Sequence, residues 1–120
     1  MGAKKDEAIA NIAPYGVVEA TSTLFDSRAN PYNVIDPNGY GWWGPHSEID
    51  LADLTISFDR PYFVEKIIIR WHLKPPRYEL KFKNAHGIWG ILRDEEPQGD
   101  IELEITPFQL TAINISIKNL

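Results

Sequence analysis

The chain has 120 residues, a formal net charge of −5 and no cysteine. That length suits one domain with a single core, and the lack of cysteine excludes disulfides, thiol nucleophiles and zinc–thiolate sites. The acidic balance, with no basic run longer than Lys4-Lys5, argues against a nucleic-acid partner, and the longest apolar run, around Ile67–Ile69, is far too short to cross a bilayer.

In chain order, residues 1–12 lack the continuous apolar core of a signal peptide, and only residues 4–11 carry a weak helical pattern. Residues 1–13 are expected to be an N-terminal tail or appended extension, and residues 14–120 a single domain. From there the hydrophobic period is two. A first strand is expected within 16–22. Leu54, Ile56 and Phe58 share one face of the next, with Thr55 and Ser57 on the other. The strongest strand pattern spans 63–71, where the Ile67–Ile69 run predicts burial on both faces. Residues 78–83 place Tyr78, Leu80 and Phe82 inward and Glu79, Lys81 and Lys83 outward. Further strands are expected at 88–92, 101–105 and 110–117.

Turn signals fall at 59–61, 74–76, 84–87 and 95–99, and the acidic run 93–100 is expected to be a solvated loop. About seven short strands with turns every 8–12 residues or so predict an all-β fold, an antiparallel β-sandwich or jelly-roll barrel.

No catalytic constellation stands out. His46, His72 and His86 lack the paired spacing of metal ligands, the serines lack a nucleophile-elbow context, and there is no glycine-rich phosphate loop. Asp50 with Asp53, or Glu95 with Glu96, would supply the two acids of glycoside chemistry only if they faced one bond. The chain is therefore expected to be non-enzymatic. Asn114-Ile115-Ser116 matches a glycosylation sequon but falls inside an expected strand, and is read as a chance match.

The segment 24–46 is the most informative. It holds Phe25, Tyr32, Tyr40, Trp42 and Trp43 among Asp26, Arg28, Asn30, Asn33, Asn38 and His46. Aromatic faces stack on the C–H side of sugar rings or enter membrane and protein interfaces, while neighbouring polar groups fix hydroxyls. One or two of these rings are expected to plug the end of the sandwich. Within the same segment, Asp36 and Asn38 offer a carboxylate and an amide oxygen on a tight turn, a donor set suited to a structural Ca²⁺ as well as to an ordinary turn.

The order of these pieces resembles the discoidin, or coagulation factor V/VIII type C, domain family of the galactose-binding-like fold. The residues that carry the resemblance are 19–25, "EATSTLF", 31–43, "PYNVIDPNGYGWW", 54–71, "LTISFDRPYFVEKIIIRW", 77–92 and 105–117. It covers roughly residues 16–118. It implies a β-sandwich with a binding site on loops at one end, here 22–32, 37–50 and 72–77. Those loops would bring Phe25, Arg28, Tyr32, Tyr40, Trp42, His46, His72, Lys74 and Arg77 to one surface. It also implies a glycan or glycoprotein partner in binding or cell adhesion, with anionic phospholipid or another protein as alternatives. An extracellular or cell-surface location follows from the resemblance alone, and so does Ca²⁺ on the aspartate that matches Asp36. Of the two adjacent tryptophans, Trp43 matches the family's core-facing position, leaving Tyr40 and Trp42 for a ligand. The sequence departs from the family in lacking its cysteine pair, in carrying Asp36-Pro37 for Asp-Gly and Asn114 for an arginine, and in being short between 93 and 110.

Overall fold

A computed structural model describes residues 11–21, 30–35, 43–44, 51–71 and 74–118 of the chain. Five strands run through them: β1 (Val17–Ala20), β2 (Leu51–Ile69), β3 (Arg77–Asn84), β4 (Trp89–Glu95) and β5 (Ile101–Lys118). All pairings are antiparallel, in the order β1-β2-β5-β3-β4. The described part has no helix beyond two 3-10 turns, Ala13–Tyr15 and Pro31–Ile35.

The long strands β2 and β5 turn this one ribbon of hydrogen bonds into a sandwich. Their register breaks twice. Phe58 to Pro61 stand opposite Thr111 alone, and Glu65 stands opposite Ile105 to Pro107. Such irregularities bend a strand pair and let it pass from one layer to the other. Residues 51–57 and 112–118 lie in the layer shared with β1 and β3, while 62–69 and 101–110 form the second layer. Ala52, Tyr78, Leu80 and Ile117 of the first layer share one core with Val64, Ile67 and Leu103 of the second. Val18, Ile35 and Leu54 form a smaller cluster beside it. The chain is thus an all-β, antiparallel β-sandwich.

Several expectations need correction at this level. The stretches 54–58 and 63–71 belong to one bent strand, as do 101–105 and 110–117, because the turn chemistry at Asp59-Arg60-Pro61 makes a bulge rather than a reversal. Residues 93–95 are strand, not loop: they pair with Tyr78, Glu79 and Leu80 beyond a bulge at Leu92. Ile67 is buried, but Ile68 points out and is 52% exposed, so the run is not buried on both faces. The weakly helical residues 4–10 lie outside the described part.

Two of the described glycines are required by packing, Gly16 against Ile56 and Gly90 against Phe82. A Cβ on Gly90 would come 2.8 Å from two atoms of the Phe82 ring, which is itself held edge-on against Phe108 at 4.6 Å. Gly90→Ala is expected to cost about 1–3 kcal/mol through overpacking. Urea unfolding would show this as a lower midpoint with an unchanged slope, and an unchanged midpoint would contradict it.

Candidate functional site

The register brings the connections to one end of the sandwich. There Leu51 of β2, Lys118 of β5 and Arg77 of β3 lie in one row. The chain leaves β1 at Thr21, tied to β2 in both directions: the Thr21 N–H donates to the Asp53 carbonyl at 3.0 Å, and the Asp53 N–H to Thr21 Oγ1 at 2.9 Å. Beyond β2, the Trp71 N–H donates to Asp100 Oδ1 at 3.0 Å, and the Trp71 ring meets Tyr78 edge-on at 5.2 Å. The described ends of these connections, Thr21 and Leu51, Trp71 and Arg77, and Glu95 and Ile101, therefore lie at the same end. The indole N–H of Trp71 is buried there, with no acceptor among the described residues.

Of the residues expected at that surface, Tyr32, Lys74 and Arg77 are described. Tyr32 sits in the 3-10 turn with half its surface exposed, its N–H accepted by Asn30 Oδ1 at 2.9 Å. The turn is pinned from beneath by Ile35, which joins Val18 and Leu54. Val34 beside it is 40% exposed, because only one residue of so short a turn faces the core. Arg77 is the first residue of β3, and its guanidinium is already engaged: Nε donates to Asp94 Oδ1 at 2.8 Å and Nη2 to the Asp94 carbonyl at 3.1 Å. Three of its five N–H donors remain for a ligand. Lys74 is exposed between these anchors. Phe25, Arg28, Tyr40, Trp42, His46, His72, and the Ca²⁺ candidates Asp36 and Asn38, lie outside the described residues. Trp43 does not: it is half-buried and packs against both core clusters, as a plug would.

The same end carries a buried phenol that sequence reading placed in the core without giving it a partner. Tyr78 is fully buried and donates from its hydroxyl to Glu95 Oε1 at 2.8 Å. Burial, and then the hydrogen bond and charge of Glu95, raise its pKa well above the ordinary 10.0. The native state keeps a proton that the unfolded chain loses near pH 10, so this stabilisation is complete below that pH and fades as pH rises above it. Tyr78→Phe is expected to flatten the alkaline fall in stability between about pH 10 and about pH 12. Equilibrium unfolding of both proteins across that range checks it, and identical slopes would contradict it.

The outer face of the first layer is polar, as the alternation of β2 and β5 requires. Asp53, Ser116, Asn114 and Thr55 form a hydrogen-bonded chain: Ser116 Oγ contacts Asp53 and Asn114 Oδ1, and Asn114 Nδ2 donates to Thr55 Oγ1 at 2.9 Å. Asn114 is buried, so the sequon is closed to a glycan. On the second layer, a shallow depression of about 410 Å³ is lined by Glu65, Lys66, Glu104, Ile105 and Pro107. Its lysine is spent on Glu102 at 2.9 Å and it offers no aromatic ring, so it is a poor ligand site. Among the described residues no group of three or more His, Asp or Glu could hold a metal ion, and no helix is long and apolar enough to cross a membrane.

No protein-family model matches the chain, and no curated protein does. Solved structures match well. A chitosan-binding module of a Paenibacillus sp. IK-5 chitosanase/glucanase aligns with a TM-score of 0.78 at 13% identity, over 91% of this chain and 86% of the module. The Clostridium perfringens module CpGH89CBM32-4, solved with GlcNAc-α-1,4-galactose, aligns at 0.76 and 16% identity, over 91% and 78%. The chain shares the β-sandwich fold of these modules. A Ruminococcus gnavus GH29 fucosidase solved with fucose also aligns, at 0.78 and 15% identity, but this chain spans only 24% of that protein. The same sandwich is thus found in modules solved on their own and in one part of a solved fucosidase. A discoidin-type family is not identified by these matches; the β-sandwich fold is what they share with this chain.

Proposed function

We propose that the chain is a non-catalytic carbohydrate-binding module that holds its glycan on the loop end of the sandwich. The observation that carries this reading is the convergence of the chain connections on one end, with half-exposed Tyr32 on the β1 side of the sheet and the partly free Arg77 guanidinium on the β3 side. Stacking ring and planar donor are the pairing that sugar recognition needs. The structural neighbours support the ligand class: the chitosan-binding module 2 of the same Paenibacillus protein was solved with chitotriose, and it aligns at a TM-score of 0.77 and 10% identity. An extracellular setting agrees with a glycan partner.

Titration with chitotriose and with uncharged galactose-terminated glycans is the test. The four tryptophans give the readout in intrinsic fluorescence. Saturable quenching or enhancement by at least one glycan is expected. Silence across a broad glycan array would overturn the proposal.

A further inference from the structure

The β3–β4 hairpin presents a second surface, at the opposite end from the loops. Its turn is tightly made. Asn84 Oδ1 accepts the N–H groups of His86 and Ile88 at 2.9 and 3.0 Å, the Gly87 N–H returns to the Asn84 carbonyl at 3.0 Å, and Gly87 takes φ +80°. The turn holds Trp89 in fixed register opposite Lys83, and Ile91 opposite Lys81. All four side chains share the outer face, since Leu80 and Phe82 on the alternate positions pack inward. Trp89 is 45% exposed and Ile91 61%.

The lysines are the unusual part. Acids outnumber bases 17 to 12 in this chain, yet neither Lys81 nor Lys83 has an ion-pair partner among the described residues. Both are half-buried, side by side on one face, where like charges repel. The acids of this face lie toward the loop end: Glu79 pairs across to Asp94, and Asp94 is held by Arg77. Positive charge is thus concentrated beside Trp89, the one exposed tryptophan among the described residues, at the turn end of the hairpin.

We propose that the outer face of the β3–β4 hairpin is a second carbohydrate-binding surface, which takes an anionic pyranose with its ring on Trp89 and its acid group between Lys81 and Lys83. The chemistry required is a sugar C–H face for the indole and a carboxylate or sulfate for two ammonium groups. A flat ring held in a strand pair suits a pyranose better than a bilayer, and the net charge of −5 disfavours an anionic membrane. This surface does not depend on the loop site, from which the length of the hairpin separates it.

The test uses trigalacturonate, a sulfated galactan oligosaccharide and uncharged galactotriose, with amide chemical-shift mapping and calorimetry. The acidic ligands should perturb residues 81–83 and 88–91 and weaken tenfold or more in the K81Q/K83Q pair and in W89A. K81R/K83R should retain binding, and raised salt should weaken it. Preference between the uronate and the sulfated arm would name the acid group. The proposal is overturned if neither acidic ligand shifts the hairpin, or if K81Q/K83Q binds as the parent does. Because galactotriose reports on the loop end alone, failure of the loop reading and failure of this one are distinguishable. The lysine pair also covers the case in which W89A fails to fold, since its changes leave the strand pairing intact.

Discussion

Leu80→Ala should lower the unfolding free energy by about 3 kcal/mol, within the roughly 2–5 kcal/mol that such truncations cost in a packed core. Leu80 is fully buried and sits at the centre of β3, between Ile115 of β5 and Arg93 of β4. It belongs to the cluster in which the two layers meet, so the vacated space is lined from both sides and has little room to collapse. For a domain of this size, each kcal/mol moves the melting temperature by about 3–5 °C, so a fall of about 10 °C or more is expected. Ile68→Ala removes a larger apolar side chain than a surface average but from a half-exposed position, and should change stability by less than about 1 kcal/mol. Comparable losses at the two positions would contradict the layer assignment.

The adjacent tryptophans should respond to truncation in opposite ways. Trp43 packs against both core clusters, so Trp43→Ala should destabilise the fold. The cost should be about 2 kcal/mol, below the 3–5 kcal/mol or so of a fully buried aromatic because the ring is only half-buried. Trp42→Ala and Tyr40→Ala should change stability by less than about 0.5 kcal/mol yet weaken glycan affinity about tenfold or more, which corresponds to roughly 1.4 kcal/mol each. Thermal unfolding and calorimetric titration on the same three variants separate the roles. If Trp42→Ala melts early while Trp43→Ala only loses affinity, plug and platform have been exchanged.

What could be read from the sequence follows from the physics of each element. The period-two alternation at 54–58, 78–83 and 101–105 reports directly which side chains face a core. Leu54, Tyr78, Leu80 and Leu103 are indeed buried. Strand continuity was not legible, because a bulge and a reversal use the same residues. Asp59-Arg60-Pro61 looks like a turn but keeps β2 running on into the second layer. The charges of 93–95 likewise hid a strand, since an edge strand with one outer face tolerates Arg93, Asp94 and Glu95, which pair with one another or with Arg77. At the site, Tyr32 could be picked out as an aromatic in a polar loop. The engagement of Arg77 by Asp94 could not, because it spans 17 positions and depends on β3–β4 register. Trp89 was passed over as a strand residue. Its signal was the outward Lys81 and Lys83 facing it, visible only once the hairpin register is known.

Backbone amide chemical-shift mapping during titration with a bound neutral glycan tests the loop-end reading most directly. The largest changes should fall in residues 22–50 and 72–77, with Tyr32 and Arg77 among them, and the strands 101–110 should stay still. Saturable binding whose shifts avoid those segments, or no shift with any neutral glycan, would contradict it.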